Sequence, residues 1–370
     1  MEIEKGAKWV KFDIMENFMR DVFKGLGVPA AEAAVCADVL ITADKLGIDS
    51  HGISRLKPIY YDRIKQGIQL AKTRFEVVKQ TPAIAVIDGH NGMGHVIAER
   101  AMALAIKKAQ KYGLGMTAVR NSTHYGIAGY YALMAARAGM IGITGTNARP
   151  SVAPTFGTEN MLGTNALTFG MPTDEAFPFL LDCATSTTQR GKIEVYAKLG
   201  KKMPKGWAID KKGGSKTDSV AVLKDLMAGT AALVPLGGIG EELAGYKGYG
   251  YSTVVEILSA ALQQGAYMKM LLGIKDGKKI PYPLGHFFLA IKIRAFTSLP
   301  AFKKTIGDIL RGLRASKKMP GAKRIYTAGE KEHLAWLYRR NKGVPLNKET
   351  RKEILAMRDE LGLIKYKFPF

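Results

Sequence analysis

The chain reads as an α/β protein, with a strand-and-helix domain flanked by a helical lobe that both termini build. Helical periodicity dominates the opening residues and everything after Pro300, while the middle alternates short apolar runs with amphipathic ones. A length of 370 residues is long for one compact core. The expected divisions are an N-terminal helical segment at 1–74, an α/β domain at 75–298 and a C-terminal helical segment at 299–370.

Each element has a local reason. Ile14, Phe18, Met19, Val22, Phe23 and Leu26 recur at helical spacing, and Gly27 ends that helix. Pro29 opens a second helix that stops at Gly47. A third is expected over residues 53–66, bent at Pro58 and closed by Gly67. Strands are expected at 75–78 and 84–87, then a glycine-rich loop at 88–94 and a helix at 96–112. Further on, strands at 116–119, 140–144, 166–171 and 179–183 alternate with helices at 128–138 and 189–198. Residues 201–218, rich in glycine and lysine, read as an exposed excursion. A helix at 251–270 and a strand at 286–293 precede the helical C-terminus.

Composition narrows the function classes. Apolar content of 47% and charged content of 24% fit a soluble globular protein. The most apolar stretch, 252–272, contains Glu256, Gln263, Gln264 and Lys269, so it reads as a buried helix and no membrane span is expected. The opening Met1-Glu-Ile-Glu-Lys5 lacks a leader pattern, and Cys36 and Cys183 sit in apolar runs. Both suit a cytoplasmic, reducing compartment. Six histidines without a Cys/His cluster or an H-E-x-x-H pattern predict no metal site. The net charge of +23 is uneven: residues 291–370 hold 20 Lys/Arg against 7 Asp/Glu, which is +13 of the total. A nucleic-acid-binding protein is the alternative class this suggests. The basic residues are scattered through helical patterns with no aromatic-interleaved strand motif, so a solvated basic surface is the preferred reading and nucleic acid is not an expected partner.

The segment from Asn121 to Tyr131 places His124 in a polar, glycine-punctuated turn between an apolar run and an amphipathic one. Imidazole titrates near neutrality and suits proton transfer. Ser50-His51-Gly52 offers a second histidine beside a hydroxyl, with Arg55 at i+4 from His51. Gly113-Leu-Gly115-Met-Thr-Ala118 has the letters of a dinucleotide fingerprint but follows a helix and opens a strand, the reverse of the required context. Gly245-Tyr-Lys247-Gly-Tyr-Gly250 precedes a helix and reads either as a phosphate cradle or as a plain glycine-rich turn.

From about Ile14 to Leu363 the chain resembles the malate/L-lactate dehydrogenase family, which also contains sulfolactate, ureidoglycolate and 2,3-diketo-gulonate dehydrogenases. The resemblance rests on ordered blocks. They include Asp49-Ser-His-Gly-Ile-Ser-Arg55, Val119-Arg-Asn-Ser-Thr-His124, Gly145-Thr-Asn-Ala-Arg-Pro150, Leu162-Gly-Thr-Asn165, Leu181-Asp-Cys-Ala-Thr-Ser186 and Gly206-Trp-Ala-Ile-Asp210. It implies a mixed-sheet, non-Rossmann NAD(P)-binding fold, a homodimer, and hydride transfer between NAD or NADP and a 2-hydroxy or 2-oxo acid. Malate/oxaloacetate or sulfolactate/sulfopyruvate is the expected pair; lactate, ureidoglycolate and cyclic imines are alternatives within the family.

The resemblance also implies roles. His124 is the first choice for acid/base, and His51 with Ser50 the second. Arg55 is expected to grip the substrate carboxylate and Arg149 a second anionic group. Asp182, Cys183, Ala184 and Lys247 are expected at the cofactor. Gly329 and Glu330 belong to a Pro-Gly-Glu-type turn near it that has Ala328 at the proline position. Asn147 and Thr164 are expected to shape the pocket. His90, His95, His286 and His333 receive no role.

Overall fold

The computed structural model describes residues 3–4, 6–198 and 200–370. Positions 1, 2 and 5 of the opening segment, where no leader was expected, lie outside them. In chain order the elements are β1 (Lys8–Val10), α1 (Phe12–Gly25), α2 (Ala30–Lys45), α3 (Asp62–Lys65), β2 (Glu76–Gln80), β3 (Ile84–Asp88), α4 (Gly94–Tyr112), β4 (Leu114–Ser122), α5 (Gly129–Arg137) and β5 (Met140–Thr146). They continue with β6 (Ala166–Met171), β7 (Phe179–Cys183), α6 (Arg190–Lys198), β8 (Ala208–Asp210), α7 (Ser219–Ala228), β9 (Ala231–Leu233), α8 (Gly245–Ala260), β10 (Ile274–Lys275) and β11 (Lys278–Lys279). The last are β12 (Leu284–Lys292), α9 (Leu299–Ala315), α10 (Glu330–Arg339), β13 (Val344–Leu346) and α11 (Lys348–Glu360).

Both ends of the chain share one core. Met15, Phe18 and Phe23 of α1 and Cys36, Leu40 and Ile41 of α2 pack with Val344, Leu346, Ile354, Met357 and Tyr366. A short antiparallel pair ties the ends together, with Lys8 opposite Leu346 and Val10 opposite Val344. Burying these large side chains outweighs the weak pairing of two three-residue strands.

The main sheet has seven strands in the order β2-β3-β4-β12-β5-β6-β7. β3 and β4 run parallel and every other neighbouring pair is antiparallel, so the sheet is mixed. β12, from late in the sequence, lies between β4 and β5, with His286 opposite both Val119 and Thr146. Two antiparallel steps separate β4 from β5 and β5 from β7. The carboxyl ends of all three strands therefore emerge at one edge. Ser122, Thr146 and Cys183 end those strands, so His124, Asn147 and Ala184 are brought together there.

Four local expectations fail, each for a physical reason. The helix expected at 53–66 is a 3₁₀ turn (Ile53–Arg55), a π-helix (Leu56–Tyr61) and then α3. Pro58 lies within the π stretch, where it cannot donate a backbone bond. The excursion at 201–218 is only partly exposed, because Met203 and Ala208 are buried and β8 pairs with β9. The glycines at 245–250 lie inside the first turns of α8 and not ahead of it. A Cβ at Gly245 or Gly248 would overlap the carbonyl oxygen of Gly238 or Leu236, so these glycines permit close packing against the preceding chain. Finally, the helix expected to reach 270 ends at Ala260.

Candidate active site

The shared strand edge opens into a cavity of about 340 Å³. Its walls include Ser50, His51, His124, Asn147, Thr164, Asp182, Cys183 and Ala184. Eight residues chosen from five separate sequence blocks thus meet in one place. Ala128, Ala148, Ala166 and Gly126 also line it, so a flat ring meets little steric obstruction. No group of three His, Cys, Asp or Glu residues with metal-binding geometry occurs among the described residues.

His124 is held at the end of β4 by its surroundings. Asn121 turns the chain with φ +52°, and Thr123 bonds to Gly92 O (2.8 Å) and Gly94 N (2.9 Å) at the start of α4. The ring Nδ1 lies 2.6 Å from the Tyr60 hydroxyl and accepts the Gly126 N–H at 3.2 Å. Nε2 has no protein partner. His51 stacks beside it with ring centroids 5.8 Å apart, and its own Nδ1 lies 2.8 Å from Ser50 Oγ. Burial, reinforced by Arg55, pulls His51 down to about 4. Burial also holds His124 well below the usual imidazole value, with His51, Arg63, His95 and Arg55 adding to the shift. Both rings are therefore neutral at neutral pH.

Arg55 spends Nε on Ser50 O at 2.5 Å and has no carboxylate partner. Arg63 stacks on Tyr282, its guanidinium carbon 4.7 Å from the ring centre, and likewise has no carboxylate partner. Arg149 is exposed, and its charge acts on the same Tyr282. Arg55 and Arg63 thus lie near His124, with Arg149 near Tyr282, and none of the three has a carboxylate partner among the described residues.

Other predicted residues have partners within the protein. Asp182 accepts Gly129 N (2.7 Å) at the start of α5 and Thr168 Oγ1 (2.9 Å), and burial raises its pKa. Its carboxylate thereby caps a helix while its backbone forms cavity wall. Asn147 uses both ends of its amide, donating to Ala266 O and accepting Gly285 N, so it shapes the pocket floor. Thr164 O accepts Thr185 N. Glu330 is buried, pairs with Arg324 and accepts Thr327 N. Gly329 lines a second cavity of about 330 Å³ with Phe177, His333 and Trp336. Glu332 is in the wall of both cavities. Lys247 is exposed on α8 and lies outside both.

The sequence reading missed Tyr60, Arg63, Tyr282 and Glu332. An aromatic pair beside Arg63 was the one available signal for the first two. Of the unassigned histidines, His95 is fully buried beneath Tyr60 at 4.5 Å, and His333 stacks on Phe177.

At one edge of the mixed sheet two neutral histidines and a cavity of small residues lie near arginines, an arrangement that fits an oxidoreductase of 2-hydroxy acids with a nicotinamide cofactor. The sequence profile described as malate/L-lactate dehydrogenase matches residues 10–355, and the chain belongs to that family. It is 43% identical to the malate dehydrogenase of Pyrococcus abyssi over 351 residues, 95% of this chain and 94% of that one. It is 36% identical to the L-sulfolactate dehydrogenase of Methanocaldococcus jannaschii, covering 93% and 94%. A crystal structure of malate dehydrogenase from Entamoeba histolytica superposes with a TM-score of 0.94 at 44% identity, covering 98% of this chain and all of that one. No helix among the described residues is long and apolar enough to cross a membrane.

Proposed function

We propose that the protein interconverts malate and oxaloacetate, with sulfolactate and sulfopyruvate as the nearest chemical analogues, using NAD. The observation that carries this reading is the fixed His124 ring beside Arg55, whose guanidinium has no protein anion. The small-residue cavity fits a nicotinamide ring, with Gly126, Ala128, Asp182, Cys183 and Ala184 as the holding wall. When bound, that ring supplies the hydride in reduction and takes it in oxidation.

The residues account for the rest. Arg55 retains both Nη groups for the C1 carboxylate, a bidentate geometry that fixes C2. Arg149 and Arg63, flanking Tyr282, supply charge for the second anionic group of a dicarboxylate or sulfonate. His124 Nε2 faces the cavity and exchanges the proton with the C2 oxygen. His51, hydrogen-bonded to Ser50, supports it from the neighbouring wall.

NAD is favoured over NADP by Glu332. This carboxylate, which has no protein partner, lies on the wall between the two cavities, where it suits a ribose diol and repels a phosphate. In this reading the second cavity, with Gly329 in its wall, takes the adenosine end, and Glu330 accepts Thr327 N in the same turn.

A homodimer is part of this reading. α8 exposes Tyr246, Tyr251, Val254 and Ile257, next to Leu243 and Met270, an apolar face that a second copy would cover. Lys247 is on this face, so any cofactor contact it makes is exercised at the dimer interface. Sedimentation should give twice the chain mass.

The test is a panel of oxaloacetate, sulfopyruvate and pyruvate with NADH and NADPH, followed by the loss of reduced-nicotinamide absorbance. Oxaloacetate with NADH should give the highest kcat/KM. No turnover of any 2-oxo acid refutes the reading, and a preference for NADPH refutes the role of Glu332.

A further inference from the structure

Tyr60 is the largest buried polar side chain in contact with the reacting histidine. It belongs to the π-helix Leu56–Tyr61, and its side chain is fully buried. π-helical turns are uncommon and recur at functional sites. Here the turn aims the phenol at Nδ1 of His124, 2.6 Å away. The Gly126 N–H approaches the same nitrogen at 3.2 Å, so in the resting state Nδ1 is an acceptor. A neutral ring that accepts at Nδ1 carries its proton on Nε2, the nitrogen that faces the cavity.

This tautomer has a chemical consequence. A neutral imidazole that gave up its Nε2 proton alone would become an imidazolate, a poor species in a buried site. A donor on the other nitrogen removes that difficulty. We propose that Tyr60 is a proton-relay residue: it passes its phenolic proton to Nδ1 of His124 as Nε2 gives its proton to the substrate oxygen.

The proton balance closes. In reduction, the hydride from the nicotinamide brings both electrons to C2, and the ketone oxygen gains the charge. The Nε2–H bond breaks and an O–H bond forms on the product. The Tyr60 O–H bond breaks and an Nδ1–H bond forms, leaving His124 neutral as its other tautomer and Tyr60 as tyrosinate. After product leaves, a proton from water enters at Nε2 and the Nδ1 proton returns to the phenol. Oxidation runs the same chain backwards, with bare Nε2 taking the substrate hydroxyl proton.

The surroundings fit both ends of the relay. Burial holds the phenol protonated at rest, with Cys36 and Tyr282 acting in the same direction. Arg63 and Arg55 act the other way and stabilise the tyrosinate once it forms. His95 lies 4.5 Å beneath the phenol ring and is itself held neutral by burial, so no second cation competes for the position. His51 and the two arginines are the remaining titratable or charged groups whose fields reach His124.

This inference rests on the reading of His124 as the acid/base, and the experiment separates the two. Tyr60→Phe keeps the ring and removes only the hydroxyl. The expected result is a loss of about 10²-fold in kcat, with unchanged NADH binding by fluorescence titration and an unchanged melting temperature. The pH profile should change as well. In the parent enzyme reduction should fall and oxidation rise only above the ordinary tyrosine range, where the Tyr60–His124 pair loses its proton, whereas the variant should lack that opposed pair of limbs. Tyr60→Phe with parental kcat and parental pH limbs overturns the relay. If His124→Gln also keeps parental turnover, the acid/base reading itself has failed. If only Tyr60→Phe is silent, the relay alone has failed.

Discussion

Two sets of arginines divide the molecule. In and around the C-terminal segment, Arg311, Arg314, Arg324, Arg339 and Arg358 are each paired with a carboxylate. Arg311 grips Asp174 through two bonds of 3.0 Å, Arg314 meets Glu175, and the fully buried Arg339 holds Asp49 at 2.5 and 2.8 Å. Around the cavity, Arg55, Arg63 and Arg149 have no such answer. The first set is architecture: Arg339 ties α10 to the residue just before Ser50, and so steadies the catalytic edge from outside. On the proposed function, the second set is charge for the anionic groups of the substrate. The large net charge is therefore not one property of the surface, and the segment with the greatest excess of lysine and arginine is not the one built for the substrate.

The largest expected break between the sets is Arg55→Ala. It should lower kcat/KM for oxaloacetate by about 10³-fold, roughly 4 kcal/mol of transition-state stabilisation, while the melting temperature stays near that of the parent. A loss of melting temperature in step with activity would move Arg55 into the architectural set. Arg149→Ala sharpens the contrast inside the second set. Steady-state kinetics should show about a tenfold to hundredfold loss with oxaloacetate and little change with pyruvate; equal losses on both would remove its role in specificity.

A third prediction concerns the neutral histidines that the unpaired arginines flank. His51 is held at about 4, His95 and His286 at about 3, and His124 well below its ordinary value. The folded state binds protons less readily than the unfolded chain at these sites. Stability should therefore fall as pH drops below about 6.5, by up to about 1.4 kcal/mol per pH unit for each histidine. Denaturant titrations between pH 7 and 5 measure this, and a flat stability over that range would contradict the burial assigned to these rings. The smallest effect belongs to the paired set. Arg311→Ala removes a solvent-screened ion pair and should leave the melting temperature almost unchanged, with kcat/KM unchanged for every substrate.

The part of the site that was legible in the sequence lies in contiguous blocks. His124 and Asp182 sit where glycines, polar residues and short apolar runs mark strand ends that the sheet topology carries to one edge, and His51 and Arg55 sit in the glycine-marked turn after α2. Tyr60 was not legible, because residues 53–66 read as an ordinary helix. A π turn adds a residue to the turn and so rotates every later side chain away from the position a 3.6-residue period assigns. Glu332 reaches the cavity, and Tyr282 stacks on Arg63, from positions far along the chain with no local motif to mark them. β8, β9, β1 and β13 are three residues each, too short for periodicity to register. The glycines around Lys247 could be read from sequence either as a phosphate cradle or as a plain turn; they lie inside α8, where Gly245 and Gly248 serve close packing.

The most direct measurement is turnover of oxaloacetate with NADH by His124→Gln, alongside NADH binding by the same variant. A neutral, Tyr60-anchored His124 that delivers the substrate proton predicts about a 10³-fold loss in kcat, with cofactor affinity within a factor of about two of the parent. A variant that turns over within tenfold of the parent while binding NADH normally would contradict that role for His124 and transfer it to His51.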